Sequence, residues 1–307
     1  MSGLQVLAST SHYWDHAAPI ADLIPGSVRV TRPHEADWSQ GPVMVCSGEE
    51  ASRAKGPYIY LEHGSGQVYD RSLRGYPGGH GHERCELFLC PSQRVANAWT
   101  DAYPQARAAV IGCPKLDPWH RGERPDPIPR TVVISFHWPC KAAEPWSGTA
   151  FAHYAKRMAD VVASWRSQGW VVMGHGHPKD AKRLHAFWRG LGVKWIPHFS
   201  EVLDWATLYV CDNSSTLMEF ASLDRPVVFM SKPAWAEGHL SPGGRFGTWS
   251  QAGLEVWGPD ELIGLQLHDY VTWDGYRSAR REVVRMVYSH TDGRCAQRAA
   301  WEIMEVL

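Results

Sequence analysis

The sequence has no apolar run that approaches the roughly 18 residues needed to cross a bilayer. Its first ten residues, MSGLQVLAST, contain neither a basic leader nor the longer apolar core that a secretory signal peptide requires. We therefore expect no transmembrane segment and a cytoplasmic location. Internal repeats and low-complexity tracts are also absent, which excludes repeat architectures and favours ordinary globular domains.

The chain also lacks an excess of charge of either sign. Its 307 residues include 31 basic and 32 acidic side chains, so the formal net charge is −1. Proteins that bind polyanions through their general surface charge carry a marked positive excess. We therefore do not expect tight binding to nucleic acid or to a membrane.

Paired cysteines are missing as well. The seven cysteines are an odd number without CxxC spacing, which favours buried thiols in a reducing compartment over a disulfide framework. Four zinc-capable residues fall within eleven positions, namely His80, His82, Cys85 and Cys90. A zinc site is one interpretation, but the second paired knuckle is missing, so we predict neither a metal nor another cofactor. We interpret GYPGGHGHE, residues 75–83, as a mobile glycine-rich loop.

What the sequence does contain is a regular alternation of short β-type runs and helical stretches. Runs such as LQVLAS, PVMVCS and LFLCPS alternate with helical patterns, and the alternation starts again at TVVISFHW after a proline-rich segment at 120–130. This alternation predicts βαβ units and parallel sheets, and 44% apolar content over this length suits two domains. We predict one long helix over 150–169 and two more over 276–289 and 293–307.

A polar run lies between a predicted strand and a predicted helix in the second half. In CDNSSTLMEFASLDRPVVF, residues 211–229, the strand TLYVCD ends, the connection NSS follows, and an amphipathic helix begins. Ser214 and Ser215 thus stand at a helix N-terminus beyond the carboxyl end of a strand, a place that favours an anion such as phosphate. The alternative interpretation is that Ser214 is only an N-cap.

The same stretch resembles the DxSSxxxDFxxxxKPVIF signature of the CDP-glycerol glycerophosphotransferase family, which comprises teichoic-acid polymerases and primases. Four further stretches resemble elements of that family in the same order along the chain. They are YLEHGSG at 60–66, FLCPSQRVANAWTDAYPQARAAVIGCPKLD at 88–117, VVMGHGHP at 171–178 and the closing TDGRCAQRAAWEIMEVL. Together these matches cover most of residues 58–307.

The resemblance implies an α/β protein with the GT-B fold, in which two Rossmann-like domains face a central cleft and C-terminal helices pack back toward the N-terminal domain. The expected domains are an acceptor-side domain at 1–124, a donor-binding domain at 125–290 and a C-terminal helix at 291–307. The implied reaction transfers a glycerol-phosphate, polyol-phosphate or sugar group from a CDP- or UDP-linked donor to an acceptor hydroxyl. The motifs do not identify the acceptor.

The resemblance also implies roles for particular residues. His63 is the expected general base, and His177 is expected to stabilise the charge of the leaving group, a role that His175 could fill instead. Ser214 and Ser215 would hold the diphosphate. The other expected donor-binding residues are Gly64, Asp212, which would orient its loop, and Glu219, which would accept hydrogen bonds from ribose hydroxyls.

Two other functions stay open on the sequence. A nucleotide-sugar 2-epimerase also has Asp and Ser before a helix at its donor-side corner, and a non-catalytic module could keep the diphosphate site without turnover. Among the remaining basic residues, Lys115 and Lys232 follow predicted strands and could reach phosphate, but we favour the interpretation that they are surface lysines beside turns. Four arginines form a helical charge cluster that could approach a polyanionic acceptor, but we interpret them as a solvated helix face, namely Arg277, Arg280, Arg281 and Arg285.

Overall fold

The computed structural model describes residues 3–65, 81–141, 148–236 and 248–307. The chain divides into two compact units. The first unit contains the described residues up to 123 and those from 285 to 307, and the second contains the described residues of 124–284. Each unit has its own six-stranded sheet with helices packed against it.

The sheet of the first unit is entirely parallel in its described pairings. Its strands are β1 (Gln5–Leu7), β2 (Val28–Val30), β3 (Val43–Val45), β4 (Tyr58–Leu61), β5 (Cys85–Cys90) and β6 (Arg107–Val110). Their spatial order is β2-β1-β3-β4-β5-β6. The helices are α1 (Ser11–Ala21), α2 (Gly48–Ala51), α3 (Gln93–Ala102), α4 (Asp117–His120) and, from the end of the chain, α13 (Cys295–Met304).

Both faces of this first sheet are buried, so its strand residues alternate between two cores. Leu87 and Leu89 of β5 lie in one core, while Phe88 and Cys90 lie in the other. Neighbouring residues of a strand point to opposite faces, and a strand that is covered on both sides therefore reads as a continuous apolar run. This is why the sequence LFLC predicted a buried strand correctly.

The C-terminal helix α13 belongs to the first unit. Ala299 and Ile303 pack in the same core as α1. The buried carboxylate of Asp117 holds the first turn of α13, because it accepts hydrogen bonds from the amides of Cys295 (3.0 Å) and Ala296 (2.8 Å). The predicted return of the C-terminal helix to the N-terminal domain is confirmed.

The sheet of the second unit is also parallel in its described pairings. Its strands are β7 (Thr131–Phe136), β8 (Val171–Gly176), β9 (Lys194–Trp195), β10 (Leu208–Cys211), β11 (Val227–Met230) and β12 (Leu254–Val256), in the spatial order β12-β11-β10-β7-β8-β9. The helices are α5 (Phe151–Tyr154), α6 (Met158–Ser167), α7 (Ala181–Gly190), α8 (Phe199–Trp205), α9 (Thr216–Ala221), α10 (Pro259–Gly264), α11 (Leu267–Trp273) and α12 (Arg277–Val287), which continues past residue 284.

The long helix predicted over 150–169 is wrong in one respect, because a 3-10 turn at Ala155–Arg157 separates α5 from α6. The hydroxyl of Tyr154 lies 2.9 Å from the carbonyl oxygen of Ser231 and 2.8 Å from that of Val256, which anchors α5 to the ends of β11 and β12. Helix α6 instead packs along the sheet through its own apolar face. A tighter turn between the two satisfies both packing requirements.

The interpretation of the C-terminal arginines as a solvated face is wrong for Arg280, which is completely buried. Arg280 donates to both carboxylate oxygens of Asp274 at 2.8 Å and 2.7 Å and to the carbonyl oxygen of Asp224 at 3.2 Å. Arg277 and Arg281 are exposed and bind the carboxylate of Asp224. This network fastens α12 to two turns of the second unit.

Strands β2 and β12 and helices α10 and α11 are present without having been predicted. The three residues of β2, VRV, are exposed or half-buried, and a run of three is too short to establish an alternation of apolar and polar residues. Helices α10 and α11 have 6 and 7 residues, too few for a clear helical period.

Replacing Asp117 by Asn should lower the free energy of unfolding by about 1 to 2 kcal/mol, because the amide group of Asn places N–H donors against the N–H groups of α13. Asp101→Asn, at an exposed position of α3, is the matched control and should change stability by less than about 0.5 kcal/mol. Chemical denaturation of both variants measures the difference. Equal stabilities for the two variants would contradict the role of Asp117.

Candidate active site

One buried carboxylate joins the carboxyl ends of two neighbouring strands of the second unit, β10 and β7. Asp212 follows β10 directly and is 0% exposed. Its Oδ1 accepts a hydrogen bond from the amide of His137 (2.7 Å), and its Oδ2 accepts from the Thr149 hydroxyl (2.7 Å) and the Ala150 amide (2.8 Å). Asp212 therefore fixes the chain directly after β7 and directly before α5.

Burial raises the pKa of Asp212 to about 6, although the three donors and Lys232 favour the ionised form. Lys232 follows β11; its Nζ donates to the carbonyl oxygen of Thr149 (3.1 Å) and lies 4.5 Å from the centroid of the Trp235 ring. The interpretation of Lys232 as an uninvolved surface lysine is therefore wrong. It is half-buried and supplies a positive charge near the buried carboxylate.

Ser214 and Ser215 lie between β10 and α9. The Oγ of Ser214 accepts hydrogen bonds from the hydroxyl (2.7 Å) and the amide (3.3 Å) of Thr216. These contacts use the lone pairs of the oxygen and leave the O–H of Ser214 able to donate. Ser215 occupies the N-cap position of α9, where its side chain makes no capping hydrogen bond. The interpretation of Ser214 as the N-cap is therefore off by one residue, because Ser215 holds that position.

The two histidines at the end of β8 differ in exposure. His175 is buried, with 4% exposed, and its Nδ1 lies 2.9 Å from the Oγ of Ser135. His177 is half-buried, and its Nδ1 accepts a hydrogen bond from the amide of Lys179 (3.1 Å). The accepting Nδ1 requires that the proton of the neutral His177 ring is on Nε2. The geometry favours His177 over His175 for contact with a ligand.

His63 and Gly64 lie in the first unit, just beyond the end of β4. The His63 ring faces α1, with its centroid 5.1 Å from that of Tyr13 and 6.2 Å from that of His16, both in edge-on geometry. Gly64 has a φ of +71°, in the left-handed region that glycine adopts readily. The chain thus turns directly after His63 and leaves the imidazole at the strand end.

His16 is a buried neighbour of His63 on α1. Burial, the positive charge of Lys115 and the proximity of His63 hold the pKa of His16 well below its usual range. His16 therefore stays neutral near physiological pH and adds no positive charge beside His63. The interpretation of Lys115 as an uninvolved surface lysine is wrong, since it is half-buried and acts on His16.

A buried glutamate, Glu50, binds the chain just beyond the ends of β1 and β3, close to the start of α1. Glu50 is 2% exposed, and its Oε1 accepts hydrogen bonds from the amide (2.8 Å) and the hydroxyl (2.7 Å) of Ser9, which follows β1. Its Oε2 accepts from the amide of Cys46, which follows β3 (2.9 Å). Glu50 thereby sets the position at which α1 begins.

The structure brings most of the predicted site residues together at one edge of the second sheet. These are His175, His177, Asp212, Ser214, Ser215 and Glu219, all in the second unit, whereas His63 and Gly64 belong to the first. Glu219 lies in the first turn of α9 and is buried, with 1% exposed. Its contact with a ribose stays a prediction.

Sequence reasoning missed several residues of these two clusters, above all His137, Thr149, Tyr13 and His16. His137 directly follows the buried run TVVISF, so the rule that ligands bind beyond the carboxyl ends of strands could have found it. Nothing in the sequence indicates Thr149, because its partner Asp212 is 63 positions away.

The zinc-capable residues lie only partly within the described chain, and the glycine-rich loop up to residue 80 lies outside it. His82 is buried among aromatic rings, and its Nδ1 lies 2.8 Å from the hydroxyl of Tyr58. The thiols of Cys85 and Cys90 are buried in β5. Across residues 3–65, 81–141, 148–236 and 248–307, no group of three or more His, Cys, Asp or Glu side chains is arranged to hold a metal ion.

No family model matches the sequence, and no curated protein matches it. Solved structures do match the fold. The wall teichoic acid polymerase TagF superposes with a TM-score of 0.66 at 14% identity, over 98% of this chain and 88% of that chain. A variant of that polymerase soaked with CDPG gives a TM-score of 0.64 at 14% identity, over 98% of this chain and 88% of that chain.

A UDP-N-acetylglucosamine 2-epimerase gives a TM-score of 0.55 at 10% identity, over 98% of this chain and 95% of that chain. Identities of this size establish a shared fold and leave the reaction undetermined. The predicted α/β class and GT-B fold are confirmed.

Asp212→Asn should lower the free energy of unfolding by about 1 to 3 kcal/mol at neutral pH, because the amide group of Asn must face an N–H or O–H donor. Asp269→Asn, at an exposed position of α11 in the same unit, is the matched control and should change stability by less than about 0.5 kcal/mol. Urea denaturation measures both. A variant as stable as the wild type would show that the network is dispensable.

The difference in the free energy of unfolding between wild type and Asp212→Asn should depend on pH. Burial raises the pKa of Asp212 from 3.8 to about 6, so its protonated form favours folding. This contribution is complete below about pH 4 and is lost as the pH rises through about 6. The stability difference between wild type and Asp212→Asn should therefore be about 1 kcal/mol larger at pH 5 than at pH 7.5. A difference that grows with pH would contradict the raised pKa.

Proposed function

We propose that this protein is a transferase that moves a glycerol-phosphate, polyol-phosphate or sugar group from a nucleotide-diphosphate donor to an acceptor hydroxyl. The observation that carries the proposal is the strand edge of the second unit. There Asp212 holds the backbone, His177 is half-buried, and Ser214 keeps a hydroxyl proton to donate. Such an edge is where open α/β sheets bind ligands, and these donors suit phosphate oxygens.

The second unit is proposed to hold the donor. Ser214 and Ser215 would donate hydrogen bonds to the diphosphate, and Nε2 of His177 would point a proton at the leaving phosphate oxygen. Asp212 would act indirectly, by fixing the backbone around the site. The carboxylate of Asp212 is not exposed to solvent, so it cannot contact the phosphates. Its negative charge would also repel them.

The first unit is proposed to supply the base. His63 would remove the proton of the acceptor hydroxyl, since imidazole accepts protons near neutral pH. Tyr13 and His16 pack against its ring and restrict its orientation. Because His16 stays neutral, it does not make His63 a weaker base through charge repulsion.

The two donor classes require the same roles of the protein and differ in the atom that the acceptor oxygen attacks and in the group that leaves. With a polyol-phosphate donor, the acceptor oxygen attacks phosphorus and a nucleoside monophosphate leaves. With a sugar donor, the oxygen attacks the anomeric carbon and a nucleoside diphosphate leaves. In both cases His63 takes the hydroxyl proton and negative charge grows on a phosphate oxygen, so the proposal requires no cofactor.

The comparisons support a nucleotide-linked donor, because a structure with the same fold was soaked with CDPG. A CDP-linked or UDP-linked donor is accordingly the first choice. An epimerase is the second candidate, since one shares the fold with a TM-score of 0.55. An epimerase would convert a UDP-sugar without an acceptor, whereas a binding module would bind nucleotide without consuming any donor.

We further propose that the protein acts in the cytoplasm. All seven cysteines lie in described segments, and none of them is in a disulfide, as expected in a reducing compartment. None of the helices in the described ranges is long and apolar enough to cross a membrane.

At least one of CDP, UDP and GDP should stabilise the protein. A ligand that binds the folded state at about 100 times its Kd adds about 2.7 kcal/mol to the free energy of unfolding. A thermal-shift panel with these nucleotides and their conjugates measures the effect and identifies the donor base. If no nucleotide or conjugate raises the melting temperature, the transferase proposal fails.

The serine pair offers a sharper version of that experiment. Ser214→Ala combined with Ser215→Ala should weaken binding of the nucleotide about tenfold or more, because at least one hydrogen bond to a charged group is lost. Ser278→Ala, at an exposed position of α12, is the matched control. Equal nucleotide affinities for the double variant and the control would show that the two serines do not bind the nucleotide.

His63→Ala should leave nucleotide affinity unchanged and slow transfer about 10²-fold to 10⁴-fold, the usual contribution of a general base. Release of nucleotide from CDP-linked and UDP-linked donors, with a panel of polyol and glycan acceptors, measures transfer. His34→Ala, exposed in the first unit, serves as the control. Lost affinity with unchanged turnover would assign His63 to binding instead.

A further inference from the structure

A chain of three hydroxyl groups in the second unit ends at Ser214. The hydroxyl of Tyr209 lies 2.9 Å from the Oγ1 of Thr216, which donates a hydrogen bond to the Oγ of Ser214 at 2.7 Å. Tyr209 belongs to β10 and is 0% exposed, whereas Thr216 and Ser214 are half-buried. The chain therefore leads from the interior of the second unit to the strand edge of the proposed donor site.

The number of protons fixes the direction of this chain. A threonine hydroxyl has one proton to donate, and Thr216 donates its proton to Ser214. The contact between Tyr209 and Thr216 therefore requires the Tyr209 hydroxyl as its donor. Burial raises the pKa of Tyr209 well above its usual range, so this hydroxyl keeps its proton near neutral pH.

The position of the Ser214 oxygen is fixed as well. Its Oγ also accepts a hydrogen bond from the amide of Thr216 (3.3 Å), and the amide of Ser214 donates to the carbonyl oxygen of Asp212 (2.7 Å). Because Thr216 supplies both hydrogen bonds to this oxygen, the proton of Ser214 points away from Thr216. A donor that is already oriented loses little freedom when a phosphate oxygen binds to it.

The ring of Tyr209 is held independently of its hydroxyl. Its centroid lies 5.6 Å from that of Phe199 on α8 and 5.3 Å from that of Phe220 on α9. A phenylalanine at position 209 would keep both ring contacts and would avoid the cost of burying a hydroxyl. The contribution of the hydroxyl can therefore be separated from that of the ring.

We infer that Tyr209 is a positioning residue of the proposed donor site, which acts through Thr216 to direct the O–H of Ser214 at an oxygen of the diphosphate. This inference rests on the proposed function, because it takes Ser214 as a ligand of the diphosphate. Without the Tyr209 hydroxyl, the Thr216 oxygen loses its donor, and the hydroxyl of Ser214, 2.7 Å away, can turn to replace it. A serine that donates to Thr216 no longer donates to the nucleotide.

Tyr209→Phe should weaken binding of the donor about threefold to tenfold, because the O–H of Ser214 then has a competing acceptor within the protein. CDP-glycerol and UDP-glucose are the probes, and isothermal titration calorimetry measures their affinities. Tyr270→Phe is the matched control, since Tyr270 is also buried and donates to the carbonyl oxygen of Val227 (2.7 Å), the first residue of β11. The control should change the affinity by less than about twofold.

A double-mutant cycle separates positioning from packing. In the Ser214→Ala background, Tyr209→Phe should change the affinity by less than about twofold, because no Ser214 proton remains to be directed. A merely structural role of Tyr209 would weaken binding by the same factor in both backgrounds. Thr216→Val, which removes the middle hydroxyl, should likewise weaken binding only when Ser214 is present. Thr216→Ser retains that hydroxyl and should bind within about twofold of the wild type.

The outcomes separate this inference from the proposed function. If Tyr209→Phe binds as tightly as the wild type, or is weakened equally with and without Ser214, the inference is wrong and the transferase proposal stands. If the wild type binds neither conjugate, the inference is wrong, and the thermal-shift panel decides the transferase proposal. Should Tyr209→Phe not fold, the two variants of Thr216 test the chain, and equal affinities of Thr216→Val and Thr216→Ser would overturn it.

Discussion

The second unit depends on one buried hydrogen-bond network, in which the carboxylate of Asp212 binds the amides of His137 and Ala150 and the hydroxyl of Thr149. A carboxylate that leaves water loses solvation, and only donors in the interior can replace it. Here the three donors come from two segments distant in sequence, and Lys232 contributes a positive charge nearby. The network can form only when β10 and β7 are neighbours. The interaction that stabilises this edge of the fold therefore also places the backbone of the candidate donor site.

In the first unit, too, a buried carboxylate accepts hydrogen bonds from the chain beyond the strand ends. Glu50 binds the chain beyond β1 and β3, and so sets where α1 begins and where its residues meet the ring of His63. His16 stays neutral beside His63 and adds no positive charge there, which suits the role of base that the proposed function assigns to His63.

The sequence predicted the parallel α/β fold because strands covered on both sides read as apolar runs, as β5 does. The polar residues that follow β10 indicated the candidate site. It also predicted the closing helix α13. It could not predict interactions between distant positions. Arg280 reads as a solvated arginine until the carboxylate of Asp274 and the turn at Asp224 are brought to it. In the same way, nothing in the sequence connects Thr149 with Asp212, 63 positions away, whose carboxylate accepts a hydrogen bond from its hydroxyl.

Hydrogen exchange at the amides of His137 and Ala150 tests the central interaction most directly. If Asp212 holds both segments, the two amides should exchange slowly in the wild type, close to the limit set by global unfolding. Asp212→Asn should accelerate exchange at these two amides without a comparable change within β8. Rapid exchange of both amides in the wild-type protein would contradict the network on which the placement of the proposed donor site depends.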